Sequence, residues 1–156
     1  MTGGAALTTS TLLLWTLTAF AAFWDLRHRR IPNSLVAVGL VAGAVVRLQA
    51  DGTHGLMGGL AGALVALGLY LIPFAMRKVG GGDVKLAMAC GMFLGAASTL
   101  WLVLYATALN GLLAITMLIG RRLIFGGGPP PERWTQVPKA VAFAAAVLII
   151  TLAPPP

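Results

Sequence analysis

Acidic side chains are almost missing from this sequence: Asp25, Asp51, Asp83 and Glu132 are the whole set among 156 residues. Charged residues of both signs make up 10% of the chain. An ordinary soluble domain carries about 25%, so that class is excluded. A single cysteine, Cys90, excludes an intramolecular disulfide and a cysteine-cluster zinc site. In its apolar surroundings it reads as a small packed hydrophobe. The first residues carry no basic cluster, so the N-terminus does not have the form of a signal peptide. Aromatic residues do not alternate with basic ones, which removes the case for a single-stranded nucleic-acid platform despite a pI near 10.9. No internal repeat is visible.

What the chain does have is long apolar runs. Six spans are expected, at about 7–24, 34–49, 55–76, 84–99, 100–120 and 137–153. About 20 apolar residues cross the roughly 30 Å hydrocarbon core. The expected fold is therefore all-α: a polytopic membrane bundle of about six transmembrane helices, with residues 1–156 as one integral-membrane domain. Glycine and alanine recur at four-residue spacing, as Gly55 with Gly59, Gly58 with Gly62, and Ala87, Gly91, Gly95. Small residues so spaced let helix backbones approach closely, and packing explains them without any chemistry.

The eleven Lys and Arg have an uneven distribution. With the N-terminus outside, Arg27, Arg29, Arg30, Arg77, Lys78, Lys85, Arg121, Arg122, Arg133 and Lys139 fall in inner loops, and only Arg47 falls outside, where it is expected to snorkel. That orientation, in an inner (cytoplasmic) membrane, places Asp25 and Asp83 at the same cytoplasmic face. Asp51 and His54 fall on the other side, and Glu132 falls in the Gly/Pro-rich loop before the last span.

Two stretches hold the remaining polar chemistry. In FWDLRHRRIPNSL, Asp25 closes the first span and is placed to pair with Arg29 one helical turn on. His28, within a run of arginines, reads as a solvated interface residue. Ile31-Pro32-Asn33 breaks the helix, and Asn33 or Ser34 is suited to cap the next one. In VGGGDVKLAM, glycines 80–82 offer positive φ and close approach, and Asp83 is placed to cap the fourth helix. Lys85 reads as a snorkelling cation. The phosphate-loop spacing is absent. An ionisable residue at membrane depth is costly and marks function by default. Two carboxylates at one depth can share a proton, one activating a water while the other donates to a carbonyl. Helix ends favour Asp83, at an N-terminus, as the ionised partner and Asp25, at a C-terminus, as the protonated one.

DLRHRRIPN followed by GGGDVKLAMACGMFLG resembles the type IV prepilin peptidases, the GxGD class of intramembrane aspartyl proteases. The resemblance implies catalytic roles for Asp25 and Asp83. It implies supporting roles for Gly80, Gly82, Lys85, Pro32 and Asn33. It extends weakly to VPKAVAFAAAV, similar to a proline-started closing helix. Larger family members carry paired CxxC motifs in an insert linked to N-methylation, and this sequence has no CxxC. The short, peptidase-only branch serving tight-adherence (Flp-type) pili is therefore expected, with no cofactor and no metal. Its partners would be prepilin-like substrates with a hydrophobic N-terminal helix, in a lipid bilayer. Arg29 or Lys85 would meet an acidic substrate position. The rival expectation is a small proton-coupled transporter or accessory subunit using the two aspartates as a relay. It lacks an inverted repeat. Trp24, where presenilin-like proteases carry tyrosine before the aspartate, favours the prepilin branch.

Overall fold

The computed structural model describes residues 3–28, 31–77, 79–125 and 139–153. These form five helices, α1 (Gly3–His28), α2 (Asn33–Ala75), α3 (Gly81–Leu94), α4 (Ala96–Phe125) and α5 (Lys139–Leu152), with no strand among the described residues. The all-α expectation holds. The fifth expected span continues as α4 to Phe125, so residues 121–125 are helix rather than loop; the rest of the expected loop, with Glu132 and Arg133, lies outside the described residues, as does Arg29.

The second and third expected spans are joined in α2, whose regular geometry fails at Asp51 (φ −132°, ψ 20°) and Gly52 (φ 60°, ψ −144°). Only glycine takes the second conformation readily. A straight helix would separate residues eight apart by about 12 Å, yet a Cβ on Gly55 would collide with the backbone carbonyl of Arg47 and stand 2.9 Å from the Asp51 Cβ. The chain therefore folds back, and α2 is a hairpin of limbs 33–50 and 53–75. Among the described residues, two stretches are long and apolar enough to cross a membrane, the α2 hairpin taken whole and Ala96–Gly120, while Ala140–Leu152 is apolar but shorter. The expected fourth and fifth spans divide at Gly95 rather than at residue 99. Gly95 has φ 81° and ends α3 there.

Helix α3 is the centre of the bundle. Val84, Leu86, Ala87, Ala89, Cys90 and Phe93 are all buried in one core cluster. A helix buried all round is a core helix, and its neighbours make room with glycine. In the first limb of α2, a Cβ on Gly39 would lie 3.3 Å from the Ala89 Cβ, and one on Gly43 would lie 2.9 Å from the Met92 Cγ. In the second limb, a Cβ on Gly59 would lie 2.7 Å from the Met92 carbonyl oxygen, and one on Gly62 would strike the Gly91 carbonyl. Phe74 ends beside Gly81, 3.6 Å from where its Cβ would be. The first limb thus runs parallel to α3 and the second antiparallel. Small-residue packing was the expectation, and Gly59, Gly62 and Gly91 meet it. Gly58 has open space where a Cβ would stand, although its carbonyl oxygen would lie 3.7 Å from a Cβ on Gly95.

Large apolar side chains cover the outside, among them Leu64, Ile72, Leu112, Ile115 and Leu118. Such a surface is an association liability in water and the normal surface of a bilayer protein.

Arg47 does not snorkel. Its Nε donates to the Phe93 carbonyl oxygen at 3.0 Å, and its guanidinium lies against Gly95. It satisfies a carbonyl at the end of α3, where helix geometry leaves the last four without partners. Arg47→Met keeps the stem and removes the donor. It should lower unfolding stability by about 1–3 kcal/mol, read as an earlier midpoint when the detergent-purified protein is titrated with denaturing detergent.

Candidate active site

One end of the bundle gathers the polar residues. Helix α1 arrives there with its C-terminus, α3 and α5 with their N-termini, and α2 with both its first and last turns. The Gly82 backbone faces Ile31, whose Cβ would be 3.4 Å from a glycine Cβ substituent. Lys85 Nζ donates to Asn33 Oδ1 at 2.9 Å. Asn33 is the first residue of α2, and the N-cap is Pro32, which makes no side-chain capping bond. The Pro32 carbonyl accepts from Leu35 N at 3.1 Å. The expected capping role of Asn33 is thus corrected: its amide oxygen is used across helices, to hold Lys85. Lys85 is exposed and is held by that bond.

Asp83 is buried, at 9% exposure. It is not the N-cap of α3, as expected. Gly80 holds that position in extended geometry (φ −78°, ψ 152°), and Asp83, three residues on, reaches back to accept the Gly80 N–H at 3.2 Å. This is the acidic half of a capping box. None of Gly80, Gly81 and Gly82 adopts positive φ. Their contribution here is space, since a Cβ on Gly80 would stand 3.4 Å from Asp83 Oδ2. Arg77, with φ 57°, takes the left-handed stop that ends the second limb of α2 ahead of these glycines.

Asp25 does not close α1, which continues to His28. Its Oδ2 accepts the N–H of Ala140, in the first turn of α5, at 3.2 Å. Asp25 therefore faces the N-terminus of a neighbouring helix as well as lying near the C-terminus of its own. Each aspartate thus accepts a backbone amide from a helix start, a feature that helix ends alone assigned only to Asp83. His28 is exposed and stacks on Trp24 with ring centroids 4.5 Å apart.

Tyr70 connects the two halves. It is buried in the second limb of α2, within electrostatic reach of Asp83. Its ring lies 6.0 Å from that of Phe143, one turn after Ala140. Asp51 and His54, exposed at the hairpin turn, are at the far end. Cys90 is fully buried. Among the described residues no group of three or more His, Cys, Asp or Glu is placed to hold a metal ion.

The structure thus brings Asp25, Asp83, Lys85, Asn33, Pro32, Gly80 and Gly82 to one end of the bundle. Sequence reasoning missed Tyr70 and Ala140. A tyrosine inside an apolar span was a usable signal for the first. No signal existed for the second, whose contribution is a main-chain N–H.

Residues 11–119 match the model of the type IV leader peptidase family. No curated protein and no solved structure gives a match.

Proposed function

Because the chain belongs to the type IV leader peptidase family, and is thus a leader-peptidase-like protease of a membrane-embedded, aspartic-type family, we propose that Asp25 and Asp83 are its catalytic pair. The observation that carries this reading is their convergence: the only two acids among the described residues besides the remote Asp51 lie at one end of the bundle, each hydrogen-bonded to a helix-start amide. One carboxylate takes a proton from a water, whose oxygen attacks the scissile carbonyl. The other gives its proton to the carbonyl oxygen. Collapse of the tetrahedral intermediate breaks the C–N bond: the first carboxylate gives its proton to the leaving nitrogen, and the carbonyl re-forms as its hydroxyl returns a proton to the second.

The substrate class is prepilin-like proteins of the Flp type, cut between a short basic leader and a hydrophobic helix. The chain acts without a methyltransferase domain. At about 1.5 Å per residue, α3 is about 21 Å long, less than the roughly 30 Å of hydrocarbon. A crossing helix this short leaves an end inside the bilayer thickness, which suits a cut beside a lipid-embedded helix. The aspartates work at the cytoplasmic face of the inner membrane, with the N-terminus outside and six spans, the α2 hairpin supplying two. Lys85 and Arg29 are the cations available to an acidic substrate position. A proton relay would need carboxylates distributed across the membrane; the shared end of Asp25 and Asp83 favours hydrolysis.

Co-expression with a prepilin-like protein tests the activity. A mobility shift that depends on this chain is expected, and an unshifted band with every Flp-type substrate tried would overturn the reading. The orientation has its own test in a Cys90→Ala background. Gly128→Cys should react with impermeant maleimide only after the inner face is opened, and labelling of intact cells would reverse the topology.

A further inference from the structure

Helix α5 lies beyond the residues 11–119 that match the family, yet it is built into the same end of the bundle. Its first turn meets the Asp25 half of the site, and Phe143, one turn on, lies beside Tyr70. Ala140 N–H donates to Asp25 Oδ2 at 3.2 Å, and Phe143 places its ring 6.0 Å from that of Tyr70, which is within electrostatic reach of Asp83. The helix has little freedom to withdraw. Ala140, Phe143, Ala146 and Val147 are at most 1% exposed. At its other end Trp15 Nε1 donates to Thr151 Oγ1 at 3.0 Å, so α1 and α5 are pinned at both ends, antiparallel.

We infer that α5 is a positioning element for the reaction, and that the Ala140 amide is the group that orients the Asp25 carboxylate. The inference rests on the catalytic reading of Asp25. The physical case is that an α1 side chain one turn from the helix end has no fixed direction of its own. Asp25 is only partly buried, and the sole hydrogen bond described for it comes from α5. The first amides of a helix have no partner within that helix, so the donor is available without disturbing α5. A backbone donor is also held more rigidly than a side chain, and misplacing a reacting group by about 1 Å can cost about a hundredfold in rate.

Two measurements test this, one independent of catalysis. In the Cys90→Ala protein, Asp25→Cys combined with Ala140→Cys should cross-link in membranes with a short thiol-specific reagent, whereas Asp51→Cys with Ala140→Cys should not. Absence of the first cross-link overturns the inference whether or not the chain is a peptidase. The second measurement removes the donor. Proline is tolerated in the first turn of a helix, where its missing N–H has no helical partner. Ala140→Pro should lower kcat on a prepilin-like substrate by about tenfold to a hundredfold with KM nearly unchanged, and Ala140→Ser, which keeps the amide, should stay within about twofold of the parent. Should the proline variant fail to accumulate, an ester bond at residue 140, introduced with lactic acid in place of alanine, removes only the N–H and decides the matter. Wild-type kcat in a folded chain lacking the donor would overturn the inference. If the parent chain itself cuts nothing, the peptidase reading falls, and the cross-link alone judges the placement of α5.

Discussion

Asp25→Asn and Asp83→Asn are each expected to reduce leader cleavage by about 10²–10⁴-fold, the range over which a positioned acid or base accelerates proton transfer. The asparagine oxygen can still accept the Ala140 or Gly80 amide that the carboxylate now accepts, so the local fold should survive and the loss should be chemical. Neither variant leaves a substitute, because no other carboxylate lies at that end among the described residues. Asp51→Asn, at the far hairpin turn, and Glu132→Gln should cleave at nearly the parental rate. The measurement is the initial rate of substrate mobility shift at matched membrane abundance. More than a tenth of parental activity in Asp25→Asn, at normal abundance, would remove Asp25 from the mechanism.

The largest effect on stability should come from a single added side chain at Gly62. A Cβ there would strike the Gly91 carbonyl oxygen and stand 2.8 Å from the Gly95 carbonyl carbon. Both obstacles are backbone in the central helix, so neither can rotate aside. Overpacking a well-packed core typically costs about 1–3 kcal/mol, and Gly62→Val should reach or exceed the upper end. The second limb of α2 would be displaced from α3, and Tyr70 and Phe74 would move with it. Gly58→Ala is the matched control. With nothing within 4 Å of its Cβ position, it should be neutral or stabilising by up to about 1 kcal/mol, the intrinsic helix preference of alanine over glycine. Denaturing-detergent midpoints compare the two. Equal midpoints would mean that Gly62 and Gly91 are not in contact in the membrane.

The glycine pattern shows where sequence reading reaches its limit. Four-residue spacing implicated both Gly58 and Gly62, and only at Gly62 would a side chain meet a neighbouring helix. Spacing defines a stripe on one helix, whereas contact also depends on which side of the stripe the next helix occupies. Asn33 and Lys85 are a similar case. Each had a local explanation, as a cap and as a snorkelling cation; the cap does not survive, and the exposed Lys85 finds its partner on another helix. Arg47 was expected to snorkel by its place at the end of a span, and the first limb of α2, parallel to α3, instead sets it against the end of that helix.

By itself, the sequence determined the helical class, the membrane-like apolar runs, the helix breaks near Pro32 and the triple glycine, and the two aspartates worth pursuing. These are properties of composition and local order: apolar run length, scarcity of charge and the backbone preferences of proline and glycine act along the chain and can be read along it. Only the tertiary structure decided that α2 doubles back, that Lys85 is held by Asn33, that Arg47 caps α3, and that Asp25 receives its hydrogen bond from α5. Every residue except proline carries the N–H that Ala140 offers. Its effect comes from where the helix start is placed, 115 residues from Asp25, so no residue type at position 140 could announce it.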